Sequence, residues 1–152
     1  MRNKGGKLRI LLDTSFLLPT LGIDVGDDVR ECLERLNNVT AELHYSRFSL
    51  LEALWIAARL VKSGSFDMER FVQGLRSIVE SGRYVKVNED YQVFKEALEM
   101  YVLGHKDMID NILYATSTSL NLKLLTVDSE LKEFIRTKGL KDTIILPGQM
   151  DQ

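Results

Sequence analysis

Apolar residues fall along this chain in two alternating rhythms, short continuous runs of strand length and longer stretches with helical spacing. Residues 8–12, LRILL, read as a strand, 24–37 as a helix and 39–45 as a second strand. SLLEALWIAARLVKSG then predicts a helix ending at Gly64, and FDMERFVQGLRSIVESG another ending at Gly82. YVKV predicts a short strand, 89–103 and 107–121 predict helices, and LKLLTV a buried strand; a helix over 129–138 and a final strand, TIIL, follow. The order βαβααβααβαβ is that of an α/β fold, a parallel sheet covered by helices. With 152 residues and neither a low-complexity segment nor a repeat, the expectation is one domain over 1–152.

Acids stand where two of these runs end. Asp13 closes the first strand and Asp128 follows LKLLTV, and in open α/β sheets ligands bind in the crevice at the carboxyl ends of the strands. Helix phase selects two more. Leu51, Leu54, Trp55, Ala58 and Val61 form an i, i+3, i+4, i+7 stripe expected to face the core, with Glu52 on its border. Ile109, Ile112, Leu113, Thr116 and Leu120 repeat the pattern with Asp110 on the border, whereas Asp107 falls near the opposite pole.

Each acid also has a local reading. SLLE fits a capping box, with Ser49 as N-cap and Glu52 reaching back to it. Asp107 and Asp128 are natural N-caps for the helices they precede, and Asp13 suits a turn through Thr14 and Ser15. What local capping does not explain is the convergence of several acids on one rim. His44 and His105 stand isolated and read as packing or surface residues; Trp55 and the tyrosines read as core.

Charge and composition narrow the function classes. A net charge of −2 argues against a protein that coats nucleic acid by bulk electrostatics, but leaves room for an enzyme whose acidic site lowers the total. Arg2, Lys4, Lys7 and Arg9 at the start offer a local phosphate contact or merely a solvated tail. Cys32 is the only cysteine, so it reads as a structural thiol. Asp13 interrupts the apolar start, no cleavage site follows it, and the apolar stretches are too short to span a bilayer, so a cytoplasmic protein without a membrane partner is expected.

ILLDTSFLL near the start, SLLEALWIAARL about forty residues on, and DNILYATSTSLNLKLLTVDSEL in the last third together resemble the PIN-domain ribonucleases, including the VapC-type toxins. The last block, an Asp opening an Ala- and Thr-containing helix followed by a strand ending in Thr-x-Asp, is the most specific. The resemblance implies a three-layer α/β/α fold with a central parallel sheet of about five strands. It carries the family's four acids onto Asp13, Glu52, Asp110 and Asp128, its threonine onto Thr126, and its hydroxyl beside the first acid onto Thr14 or Ser15. Glu130 stands where some members have a further acid, and Leu131 where the toxin-like pattern often has phenylalanine.

From the same resemblance follow Mg²⁺ or Mn²⁺ as cofactor, held by Asp13, Asp110 and Asp128, with Glu52 positioning water or acting as general base and Ser15 and Thr126 in support. The implied reaction is in-line hydrolysis of RNA to 5′-phosphate and 3′-hydroxyl ends. A small antitoxin entering the acidic groove and a homodimer are the implied protein partners. A module that keeps the fold as a non-catalytic RNA- or protein-binding unit is the alternative. Phosphatases of the haloacid dehalogenase type want a second Asp where this chain has Ser15, and receiver domains want their acids earlier in the chain.

Overall fold

The computed structural model describes residues 7–150. Among them, five strands form one parallel sheet: β1 (Leu8–Leu12), β2 (Ala41–Tyr45), β3 (Tyr84–Lys86), β4 (Lys123–Leu125) and β5 (Ile144–Ile145), in the spatial order β3-β2-β1-β4-β5. The helices are α1 (Thr14–Leu17), α2 (Asp27–Asn37), α3 (Arg47–Ser63), α4 (Met68–Glu80), α5 (Tyr91–Leu103), α6 (Met108–Leu120) and α7 (Ser129–Thr137), and a 3-10 turn follows at Pro147–Gln149. The segment after Asp13, expected as a turn, is the short helix α1.

β1 is central, and an apolar run buried on both faces is what such a strand requires. Alternation sends its side chains into two cores. Ile10 and Leu12 join Phe16, Leu17, Val29, Ala53 and Phe71 from α1–α4 on one face, while Leu11 joins Leu113, Leu122, Leu131 and Ile135 from the α6 and α7 side on the other. Helices on both faces make the three-layer α/β/α arrangement. The sheet order reverses between β1 and β4, because the chain runs from β1 outward to β3 and then crosses back to β4. That reversal opens a crevice at the carboxyl ends of these two strands.

One face is placed differently from its sequence pattern. α3 turns Ser49, Ala53 and Ala57 inward and packs against α1, whereas Leu51, Leu54, Trp55, Ala58 and Val61 lie exposed, Trp55 at 63%. Small residues let the helix approach its neighbour closely, so the larger apolar side chains are left on the outer face. α3 also begins earlier than expected: Ser46 is its N-cap, accepting from the Phe48 N–H at 3.1 Å. Ser49 is buried inside the first turn, so Glu52 belongs to no capping box. α6 follows its pattern, with Ile112, Leu113 and Thr116 buried, Ile109 half-buried and only Leu120 exposed.

Gly74 of α4 fits tightly under the Thr20–Leu21 backbone. A Cβ there would stand 2.1 Å from the Thr20 carbonyl oxygen and 2.7 Å from the Leu21 Cα. Gly74→Ala should therefore lower stability by about 1–3 kcal/mol in urea unfolding, despite alanine's higher helix propensity. An unchanged midpoint would show that the α4 contact is slack.

Candidate metal centre

Asp13 extends the central ladder by one residue: its N–H donates to the Leu125 carbonyl of β4 at 3.1 Å. Its side chain is the N-cap of α1, with Oδ1 accepting from the Ser15 N–H at 3.0 Å. Asp128, three residues past β4, is the N-cap of α7; Oδ1 accepts from the Glu130 and Leu131 N–H groups at 2.9 and 3.1 Å. Asp107 caps α6 by accepting from the Asp110 N–H at 3.1 Å. Capping and convergence coexist for Asp13 and Asp128, because a carboxylate has two oxygens and each cap engages one.

Thr126 links the two strand-end acids. Buried at the end of β4, its Oγ1 accepts from the Asp128 N–H at 3.0 Å, and its hydroxyl hydrogen-bonds to the Asp13 carboxylate. One hydroxyl can do both, donating once while accepting. Thr14 Oγ1 is buried without a hydrogen-bond partner, and Ser15, half-buried, contributes its backbone N–H. Glu52 of α3 is half-buried and close enough to Asp13 for its charge to raise that acid's pKa. The stripe it was expected to border is the exposed one, and its half-buried place comes from lying between that stripe and the buried Ser49, Ala53 and Ala57.

The electrostatics are those of too many acids in too small a space. Burial pushes the Asp13 carboxyl up to about 6, with the charge of Glu52 adding to it and the Thr126, Ser15 and Phe16 hydrogen bonds opposing it. Asp110 is pushed further, to about 9, by burial first, then by a hydrogen bond to Asp128 and the charges of Asp107, Asp128 and Asp13. Asp110 therefore keeps its proton at neutral pH, a state that a bound cation would reverse. Hard carboxylate oxygens closing on one point are the donor set that Mg²⁺ and Mn²⁺ prefer, so the residues fit a divalent ion.

The structure adds a group that the sequence reading left out. A ring nitrogen of His105 and carboxylate oxygens of Asp110 and Asp128 lie within 4.8 Å of one another. Asp13, expected with Asp110 and Asp128 in the metal set, is not part of this group, though its charge acts on Asp110. His105 sits in the α5–α6 turn, where no helical period applies, so phase could not point to it. Glu89, past the end of β3, was also missed; its buried carboxylate accepts from Ser46 Oγ at 2.6 Å and so braces the start of Glu52's helix.

Other expectations fall elsewhere. Arg9 lies at the amino end of β1, 3.5 Å from Glu42, about 13 Å of strand from Asp13, so it makes no phosphate contact at the acids. Lys7 precedes it, and Arg2 and Lys4 lie outside the described residues. Glu130 is exposed in the first turn of α7, and Leu131 is fully buried below it. His44 is buried on β2 with Nε2 2.7 Å from Glu42 Oε1, and Cys32 is buried in the core. A cavity of about 630 Å³ beside α5, lined by Met100, Leu103, Tyr114 and Leu140 among others, contains none of the rim acids. No described helix is long and apolar enough to cross a membrane.

Comparison with known proteins agrees with this architecture. The fold is similar to that of VapBC2 from Rickettsia felis, solved with a DNA fragment from its promoter, at a TM-score of 0.61 and 15% identity, covering 91% of this chain and 97% of that one. FitAcB from Neisseria gonorrhoeae aligns with a TM-score of 0.57 at 16% identity, covering 93% and 99%. A toxin-antitoxin complex from Klebsiella pneumoniae gives 0.55 at 13% identity, covering 91% and 97%. No curated protein matches the sequence. The PIN domain model matches residues 10–137, a span that runs from β1 through α7 and takes in every acid of the rim, and the chain therefore belongs to the PIN domain family.

Proposed function

We propose that the protein is a divalent-metal-dependent endoribonuclease and the toxin of a toxin-antitoxin pair. The observation that carries this reading is the convergence of Asp13, Glu52, Asp110 and Asp128 at the β1/β4 crevice, where burial and the neighbouring acids hold the Asp110 carboxyl up to about 9. PIN domains are generally nucleases, and the acid set needed for that chemistry is complete here.

A bound Mg²⁺ or Mn²⁺ supplies Lewis acidity, making water a better nucleophile and offsetting charge on the attacked phosphodiester. The chain's own groups do the rest. Asp110 and Asp128 would hold the ion with Asp13 completing its surroundings, and Glu52 would orient the attacking water and accept its proton. Thr126 fixes Asp13 relative to Asp128, while the α1 cap at Ser15 holds the Asp13 carboxylate in one rotamer. Thr14 Oγ1, buried and unpartnered next to Asp13 in sequence, would support the same cluster.

The test is incubation of the purified protein with end-labelled RNA and Mn²⁺ or Mg²⁺. Cleavage should be abolished by EDTA, restored by added metal, and leave 5′-phosphate and 3′-hydroxyl ends. Cleavage that persists in EDTA, or products with 2′,3′-cyclic phosphate, would sink the proposal.

The VapBC and FitAB neighbours were solved as pairs or complexes. By extension, a small antitoxin would enter the acidic groove with a cationic side chain, since charge-assisted pairing is strongest with desolvated carboxylates. A homodimer is the second partner in this reading. It would cover the exposed Leu51, Leu54 and Trp55 of α3 together with Phe94 and Leu98 of α5, helices joined by the edge-to-face Phe48–Phe94 contact. Contiguous exposed apolar surface of this kind is uncommon on monomers. Trp55→Glu should shift sedimentation from dimer to monomer; a wild-type protein that sediments as a monomer at micromolar concentration would contradict the dimer.

A further inference from the structure

His105 is held as a metal-ligating histidine would be. Its Nδ1 lies 2.7 Å from Asn111 Oδ1. Asn111 is fully buried, and its amide nitrogen is committed to two carbonyls, donating to His105 O at 2.8 Å and Ala97 O at 3.3 Å. Those two bonds fix the orientation of the amide, so Oδ1 is the acceptor and Nδ1 must carry the hydrogen. In the neutral imidazole the lone pair is then on Nε2. Phe134 packs against the ring at a centroid distance of 5.2 Å and limits its rotation. A metal-binding histidine characteristically donates its other ring N–H to a fixed acceptor, which sets both tautomer and orientation.

Resting on the metal-site reading above, we propose that His105 Nε2 ligates the divalent ion together with Asp110 and Asp128, making a mixed nitrogen–oxygen site that selects Mn²⁺ over Mg²⁺. A ring nitrogen already lies within 4.8 Å of an oxygen of each acid. Mg²⁺ holds to oxygen ligands, whereas Mn²⁺, which shares its taste for carboxylates, stands at the weak end of the first-row series that binds mixed nitrogen and oxygen sites. The selectivity therefore follows from one side chain in the α5–α6 turn, and Asn111 acts as its positioning residue from the first turn of α6.

The chain has only two histidines, His44 and His105, which makes the ligand directly observable. Mn²⁺ bound to the full chain should show ¹⁴N modulation in pulsed electron paramagnetic resonance, and labelling histidine with ¹⁵N should move it to the ¹⁵N frequency. The signal should survive His44→Gln and vanish in His105→Gln, whose Mn²⁺ affinity should fall about 10²-fold while Mg²⁺ affinity changes little. Should His105→Gln fail to fold, the isotope shift together with its persistence in His44→Gln still decides the assignment. Bound Mn²⁺ without histidine coupling, or coupling that survives His105→Gln, would overturn the ligand assignment while leaving the metal site standing. Absence of Mn²⁺ binding altogether would overturn both.

Discussion

Asp110→Asn should stabilise the metal-free protein at pH 8, by about 3 kcal/mol, while removing its response to Mn²⁺. At pH 8 the folded wild type must hold on Asp110 a proton that the unfolded chain releases, a cost that Asn does not carry; about 3 kcal/mol is the scale of the carboxylate–carboxylate repulsion that this proton relieves, for charges about 5 Å apart at an effective dielectric near 20, oxygens of Asp110 and Asp128 lying within 4.8 Å. The pH dependence has a defined sign. Asp110 binds its proton more tightly when folded, up to about 9, than the unfolded chain does near 3.8, so the folded state carries the extra proton between these values. Metal-free wild type therefore loses stability as pH rises from about 4 to about 9, with Asp13 contributing over the lower part of the window, up to about 6. Asn at position 110 does not titrate, so the variant's curve should be flatter and higher at alkaline pH. Wild type should regain the difference on adding Mn²⁺, gaining about 2.7 kcal/mol at a hundred times Kd. Urea unfolding from pH 5 to 9, with and without Mn²⁺, measures all of this; a variant less stable than wild type at pH 8 would mean that the acids are not in electrostatic conflict.

Asp13→Asn should reduce RNA cleavage by about 10²–10³-fold, the scale of removing a preorganised electrostatic group from a reacting site, without loss of fold. Asn caps helices about as well as Asp, so the Ser15 N–H keeps its acceptor, and the buried position loses a charge that burial had disfavoured. Asp13→Ala should be as inactive and also less stable, by about 1 kcal/mol for the lost cap. The pair separates the two duties of one side chain. Equal activity of Asp13→Asn and wild type would confine Asp13 to its capping role.

The sheet and most helices were readable because their periods are strong and the chain ends them with recognisable caps. α3 stops at Gly64, whose φ of 79° suits glycine. Asp13, Asp128 and Asp110 were readable because strand ends and the phase of α6 are geometric statements: Asp110 is half-buried and Asp107 exposed, as the pattern gives, whereas Glu52 rested on the phase of α3. The outer face of α3 was misread because apolar bulk was equated with burial, whereas Ser49, Ala53 and Ala57 make the inward contact through their smallness. The capping box failed because two serines stand three residues apart, and the earlier one, braced by Glu89, starts the helix. His105 was unreadable because its place at the acids depends on how the α5–α6 turn folds back over Asn111, a tertiary relation with no sequence period.

On the proposed reading these acids hold a divalent ion in order to cut RNA. The most direct test is the initial rate of cleavage of one labelled RNA by wild type and Asp110→Asn, purified in parallel and matched for folding, each in Mn²⁺ and in EDTA. Only wild type in Mn²⁺ should cleave. Equal cleavage by the two proteins, or a wild-type rate unaffected by EDTA, would contradict it.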